Sequence, residues 1–321
     1  MNFIKKIPLP FAGVFLGLGA LGNLLQVPLL LGTTTDGVNP TGNMLRSICG
    51  VIAWVCLILY IIKLLTCMDQ FKEEMKNPIM ASASAPFPMA IMLLSTYVKP
   101  LIGGGAKILW FIGLILDIVW IVYFILTFVV KGFDIKKVFG SWYVLFCGIA
   151  VAGVTAPAFE QQKIGAATVW IALLFLIVLL FLVFYRYSKF PNVPDPAKPL
   201  FCICTAPMSL VIAGYIQSVE KKNLTLLLIM WAVAAVLFVI SLYKAITYLK
   251  LPFFPSYAAW TFPFVITAIA SKQLMACAMK MEHPLPFLRP IVIIQTVIAA
   301  AFVIYVFVRY LAFLFAAPKK G

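Results

Sequence analysis

Short polar connectors divide the chain into ten apolar runs, each close to the roughly 20 residues an α-helix needs to cross a bilayer. Their limits read 9–31, 42–66, 80–98, 106–130, 138–159, 164–186, 199–219, 223–248, 256–279 and 288–315. The third and fifth are diluted by serine, glycine and proline, and no apolar stretch is left over. A chain that is 64% hydrophobic and 11% charged has too much apolar surface for a water-soluble fold of this length. The solvent these runs imply is lipid, where backbone groups must be satisfied by the protein itself. The apolar character extends from end to end, so residues 1–321 read as one all-α transmembrane domain with no soluble module attached. The start, "MNFIKKIPLPFAGVFLGLGALG", resembles a secretory signal. Its apolar run continues past Leu29 without a cleavage-type site, which predicts a retained first helix.

A net charge of +15 would suggest nucleic acid in a soluble protein. Here the basic residues sit mostly in connectors, where they set membrane orientation, and no nucleic-acid partner is expected. Sixteen Lys and Arg, Lys319 and Lys320 among them, fall on the side of the two termini, against nine on the other. That asymmetry predicts a multi-pass protein with both termini in the cytoplasm. The seven cysteines lie mainly inside apolar runs, and the chain has one histidine, His283, in a connector. No spacing resembles a zinc or redox motif, so neither metal nor cofactor is expected.

Odd and even runs differ. Odd runs carry proline near or within the membrane: Pro10, Pro86 and Pro88, Pro157, Pro207 and Pro263. They also hold much of the glycine, serine and threonine, whereas even runs are plainer, as in "VWIALLFLIVLLFLVF". Proline frees a backbone carbonyl, which is tolerable at membrane depth only where protein or a wet cavity can satisfy it. The pattern predicts five helical hairpins, with odd helices inside and even helices toward lipid. Gly13 and Gly17 give the first helix a smooth stripe, which either packs closely against a neighbour or widens a lumen.

Charges within the runs are few. Asp117 lies in an even run and is expected to be paired structurally, while Glu160 and Lys163 flank a junction at the interface. Lys272 is the deepest cation, in the last third of its run. The odd runs offer no buried carboxylate for proton coupling, which favours a passive pore over a pump. On the outer side, nine basic residues, including Lys99 and Lys272, face four acidic ones (Asp36, Glu160, Glu220 and Glu282), a balance that would draw anions to the mouth. Walker, nucleophile-elbow, zincin and dinucleotide motifs are missing, and the chain does not read as an enzyme.

Three stretches carry a family resemblance: "PLPFAGVFLGLGALGN" (8–23), "APMSLVIAGYIQ" (206–217) and "WTFPFVITAIAS" (260–271). Their order and spacing resemble the tellurite-resistance/dicarboxylate transporter family, which includes bacterial TehA proteins and the plant slow anion channels. The resemblance implies five hairpins in a quasi-fivefold ring, assembled as homotrimers with one pore per subunit. It also implies an anion path blocked at mid-membrane by a phenylalanine of the ninth helix, which falls on Phe262. Pro263 then supplies a kink beside the gate, and Phe264, about 200° further round the helix, faces packing. Residues 1–321 carry no stretch like the plant members' long cytoplasmic tails, so gating by phosphorylation of such tails is not expected. The function expected is a plasma-membrane channel for small inorganic anions; the alternative is a secondary transporter of C4-dicarboxylates or tellurite-like oxyanions, perhaps proton-coupled. A mostly apolar lumen would select by dehydration cost and favour weakly hydrated anions such as nitrate.

Overall fold

The computed structural model describes residues 2–26 and 39–316. Among them every regular element is helical. The apolar segments are α1 (Leu9–Leu25), α2 (Pro40–Thr66), α3 (Pro78–Ile102), α4 (Gly104–Val130), α5 (Ser141–Cys147 with Ala150–Phe159), α6 (Gln162–Lys189), α7 (Asp195–Ser218), α8 (Leu224–Tyr248), α9 (Pro255–Lys280) and α10 (Leu288–Phe315). Eight of these are long and apolar enough to cross a membrane, or nine with α5, whose two pieces meet at a 54° bend; α1 is shorter. The expected end of the first run at Leu31 lies outside the described residues, as do Asp36, Lys319 and Lys320.

Local chemistry sets several of the helix starts. Asn39, Asn77 and Asn223 each turn a side-chain oxygen back onto backbone N–H groups of the first turn of α2, α3 and α8. Such caps satisfy donors that have no partner inside the helix. Proline follows directly at Pro40 and Pro78, where its missing N–H costs nothing. The apolar faces follow helical spacing: along α6, Val169, Ala172, Leu176, Leu179 and Val183 are buried while Phe181 and Phe184 are exposed.

Burial divides the segments into two sets. In the most apolar stretch of α3, α7 and α9, 67–89% of residues are buried, against 28–39% in α2, α4, α6, α8 and α10. Nearly all of α1 is buried as well. Each odd segment packs against the even one that follows it. The odd segments also pack on one another: α1 on α3 and α9, α3 on α5, α5 on α7, and α7 on α9.

The odd segments are internally irregular. α1 opens with a 3₁₀ turn at Leu9–Phe11 before the α-helix starts at Ala12. α3 breaks after Ala83 and restarts at Pro86. α7 runs as 3₁₀ helix over Asp195–Thr205 and becomes α-helical at Ala206, with Pro207 in its first turn. α9 runs as 3₁₀ helix over Pro255–Trp260 and becomes α-helical at Phe262.

Three charged groups lie deep within the packing among the described residues: Lys63, Asp117 and Arg186. Lys63 is fully buried, donates to the Ile7 carbonyl and pairs with Glu74 at 3.0 Å, which ties the N-terminal segment to the connector helix Met68–Met75. Asp117 on α4 is also fully buried. The structural pairing expected for it is not formed among the described residues, where neither carboxylate oxygen has a hydrogen-bond partner. Glu160 and Lys163 are both exposed.

Candidate functional site

The start of the regular helix in α9 is held from two sides. The Thr261 hydroxyl donates to the Gly13 carbonyl of α1 at 2.7 Å. A Cβ on Gly17 would stand 2.6 Å from the Thr261 Cβ and 2.9 Å from the Phe262 nitrogen, so only glycine lets α1 approach this closely. Gly13 meets Ala258 in the same way, at 3.2 Å. On the other flank the Thr267 hydroxyl is 3.0 Å from that of Thr205 and accepts from Ser209 at 3.1 Å, joining α9 to α7. The backbone that carries Phe262 is therefore clamped between α1 and α7.

Phe262 itself is 3% exposed and lines two cavities. The larger, about 450 Å³, takes its walls from all the odd segments: Leu24 of α1, Leu93 of α3, Val154 of α5, Leu210 of α7, and Ile266 and Ile269 of α9. Its polar atoms come from Asn23, Thr96, Thr155, Gln217, Lys272 and Gln273. The smaller cavity, about 30 Å³, is lined by Pro10, Gly13, Pro86, Val144, Ile203 and Pro263, again one or more from each odd segment. That volume is roughly the liquid share of a single water. No residue lining either cavity is acidic.

The irregular stretches of the odd segments meet at the smaller cavity. Pro10, Pro86, Leu200 and Ser256 come from the 3₁₀ turns and restarts described above. Pro263 falls in the first turn of the α-helix, where its lost N–H has no partner to miss, and the change of helical form lies at Thr261. Phe264, two residues on, is fully buried and packs against Phe238 of α8 at 5.7 Å and Phe302 of α10 at 4.7 Å. The two phenylalanines that flank Pro263 face opposite surroundings.

The remaining residues singled out in the sequence are distributed as follows. Pro157 lines the larger cavity. Pro88 and Pro207 are buried in the packing and line neither cavity, as is Gly17. Lys272 lines the larger cavity, and its Nζ donates to the Leu24 carbonyl at 2.9 Å. It lies about 15 Å along the helix from Phe262. Lys99 is exposed and donates to the carbonyl of Ala158, a residue of the cavity wall. Arg46 stands behind the same wall, donating to the Asn23 side chain at 2.9 Å, its guanidinium 4.2 Å from the Tyr97 ring. Sequence reasoning missed Asn23, Thr96, Gln217 and Gln273. Their signal is a polar residue toward the far end of each of four odd segments, two of them amide side chains beside a serine or lysine.

The profile described as "SLAC1: Voltage-dependent anion channel" matches residues 6–311. No curated protein matches the chain.

Proposed function

The chain belongs to the SLAC1 family of voltage-dependent anion channels, and we propose that it passes small inorganic anions along the axis of its odd segments, with Phe262 as the gate. One observation carries this reading: Phe262 lines both the wide, partly polar cavity and the narrow apolar one, and every odd segment contributes to each. The contacts from α1 through α3, α5, α7 and α9 return to α1, which supports ten helices as five hairpins in a ring around a pore.

A bulky ring in an apolar constriction stops an anion because the ion would have to shed its hydration there. Rotation of one side chain removes the block. The clamped backbone at Thr261 lets that happen without moving the helix. Lys272 raises the local anion concentration in the wide cavity without lying at the constriction. In this reading Lys99 and Arg46 act on the same mouth from behind its wall, and Gly13, Pro86 and Pro157 keep the lumen open. The protein sits in the plasma membrane as a homotrimer with one path per subunit and both termini in the cytoplasm. The sixteen-to-nine excess of Lys and Arg on the terminal side supports the orientation.

The test is electrical. Phe262→Ala in liposomes or oocytes raises anion conductance at least tenfold over the unmutated protein. Equal current from equal amounts of well-folded variant rejects Phe262 as the gate. Reversal potentials under separate anion and pH gradients distinguish a channel from the proton-coupled carrier of dicarboxylates or oxyanions: a channel follows the anion gradient alone.

A further inference from the structure

Arg186 is in the last turn of α6, on the buried face of a helix whose other face is largely exposed. Its side chain is 2% exposed, and a guanidinium stays charged in any such setting. Nη1 donates to the Phe190 carbonyl at 2.8 Å. The Cζ atom lies 4.4 Å from the Phe139 ring and 4.8 Å from that of Tyr187. These contacts leave the charge without a counter-ion. Among the described residues Arg186 forms no ion pair, and the acids of the connectors before α5 and after α6 are engaged elsewhere: Asp134 with Lys137 at 3.9 Å and Asp195 with Lys198 at 2.6 Å. The surroundings are basic, since Lys136 Nζ stands 5.4 Å from the Phe190 ring.

Two donors in this corner have no acceptor. The Nε of Arg186 is buried without an acceptor among the described residues, and the buried Tyr187 hydroxyl, whose oxygen faces the Gly140 backbone, has none for its own proton. A buried cation and adjacent unpaired donors describe half of a binding site, and the missing half is an acceptor that carries negative charge. A water would satisfy a donor but not the charge. The Nε edge of a guanidinium presents its donors in a plane, which suits a group with several acceptor oxygens.

We propose that Arg186 and Tyr187 hold an oxyanion group at this end of α6, in a site separate from the cavities that Phe262 lines. The group is a free inorganic oxyanion or the phosphate of an anionic lipid, the same chemistry from two sources. Neither residue lines those cavities, but the site stands directly behind the narrow one. The Tyr187 ring meets that of Phe201 at 5.0 Å, and Gly140, beside Phe139, has no room for a Cβ against the Leu200 carbonyl. Leu200 is part of the narrow cavity's wall. An anion here braces α6 against the starts of α5 and α7, which build that wall.

The test reads stability, not current, so it stands or falls independently of the gate. The full chain, delipidated in uncharged detergent, is melted in increasing inorganic phosphate, with gluconate holding ionic strength constant. A parallel series adds phosphatidylglycerol. The wild type gains several degrees in one series or both, and which one responds identifies the source. Arg186→Gln loses the gain. Tyr187→Phe keeps the ring packing on Phe201 and shifts half-saturation about tenfold, as expected for one hydrogen bond to a charged group. Binding at Lys272 is common to all three proteins and cancels in the comparison. No gain in the wild type, or an equal gain in both variants, overturns the proposal. If Arg186→Gln does not fold, an unchanged half-saturation in Tyr187→Phe overturns it alone.

Discussion

α6 and α9 are of similar length, 28 and 26 residues, and are built in opposite ways. α6 is one uninterrupted α-helix with a third of its apolar stretch buried; α9 changes helical form at Thr261 and is two-thirds buried. A continuous helix pairs its own backbone groups and can face lipid with any apolar side chains. An interrupted one leaves carbonyls over, and these need protein partners. At the interruption in α9 the Ala258 carbonyl accepts both the N–H and the hydroxyl of Thr261, and that hydroxyl also donates to Gly13 of α1. Breaks in helical form are therefore concentrated in the segments that surround the cavities; of those that cover them, α4 departs from plain α-helix, ending as a π-helix over Ile125–Val130.

The sharpest test of this division is the pair of phenylalanines on either side of Pro263, one facing the cavities and one facing the plain helices. Phe262→Ala produces the largest functional change, the tenfold or greater rise in conductance described above, with a smaller fall in unfolding temperature than Phe264→Ala because its ring borders a cavity on two sides. Phe264→Ala does the reverse. It removes a fully buried ring from contact with Phe238 and Phe302 and costs about 3–5 kcal/mol, read as a lower melting temperature in detergent, with unitary conductance unchanged. If the two variants behaved alike, the contrast between lumen and packing would fail.

A smaller effect is expected at Gly17. A valine there drives its Cβ into Thr261 at the point where the backbone of the proposed gate is held. Overpacking of this kind costs about 1–3 kcal/mol. Because the clash falls one residue before Phe262, the gate is displaced along with it, and Gly17→Val raises the closed-state leak as well as lowering the melting temperature. A glycine on a plain helix with open surroundings would show neither.

Eight of the ten apolar runs read from the sequence coincide with helical segments to within about four residues, because length and hydrophobicity alone specify them; the run 9–31 shares its start at Leu9, and its expected end lies outside the described residues. The tenth, 138–159, has the expected extent but bends by 54°. The bend sits at Gly148, where a Cβ would meet the Val144 carbonyl and Met89 of another segment, a tertiary contact that local sequence does not encode. Proline content marked the odd segments as irregular but missed the π-helical end of α4 and did not mark the site of irregularity: Pro263 lies at a helix start and Thr261 takes the change in backbone form. Asp117 was legible as a charge in the wrong solvent, yet its expected partner is not among the described residues. Phe262 was picked out by a motif. The polar residues of the wide cavity, Asn23, Thr96, Gln217 and Gln273, come from four segments and become a group only once these pack together.

The smallest predicted effect concerns the cation of that group. Lys272 lines the wide cavity, but its ammonium donates to the Leu24 carbonyl and lies about 15 Å along the helix from the gate. In the proposed reading it acts at that distance through the field it adds to the mouth, not by binding an ion at the constriction, and the field of a partly solvated charge decays over about 10 Å at 0.1 M salt. Lys272→Gln keeps a donor able to reach Leu24 while removing the charge. Conductance in the Phe262→Ala background, where the gate no longer limits flow, should fall about twofold at low salt and recover as ionic strength rises. A loss that persists at high salt would instead make Lys272 a binding station on the path, and the wide cavity would then resemble a substrate site more than an antechamber.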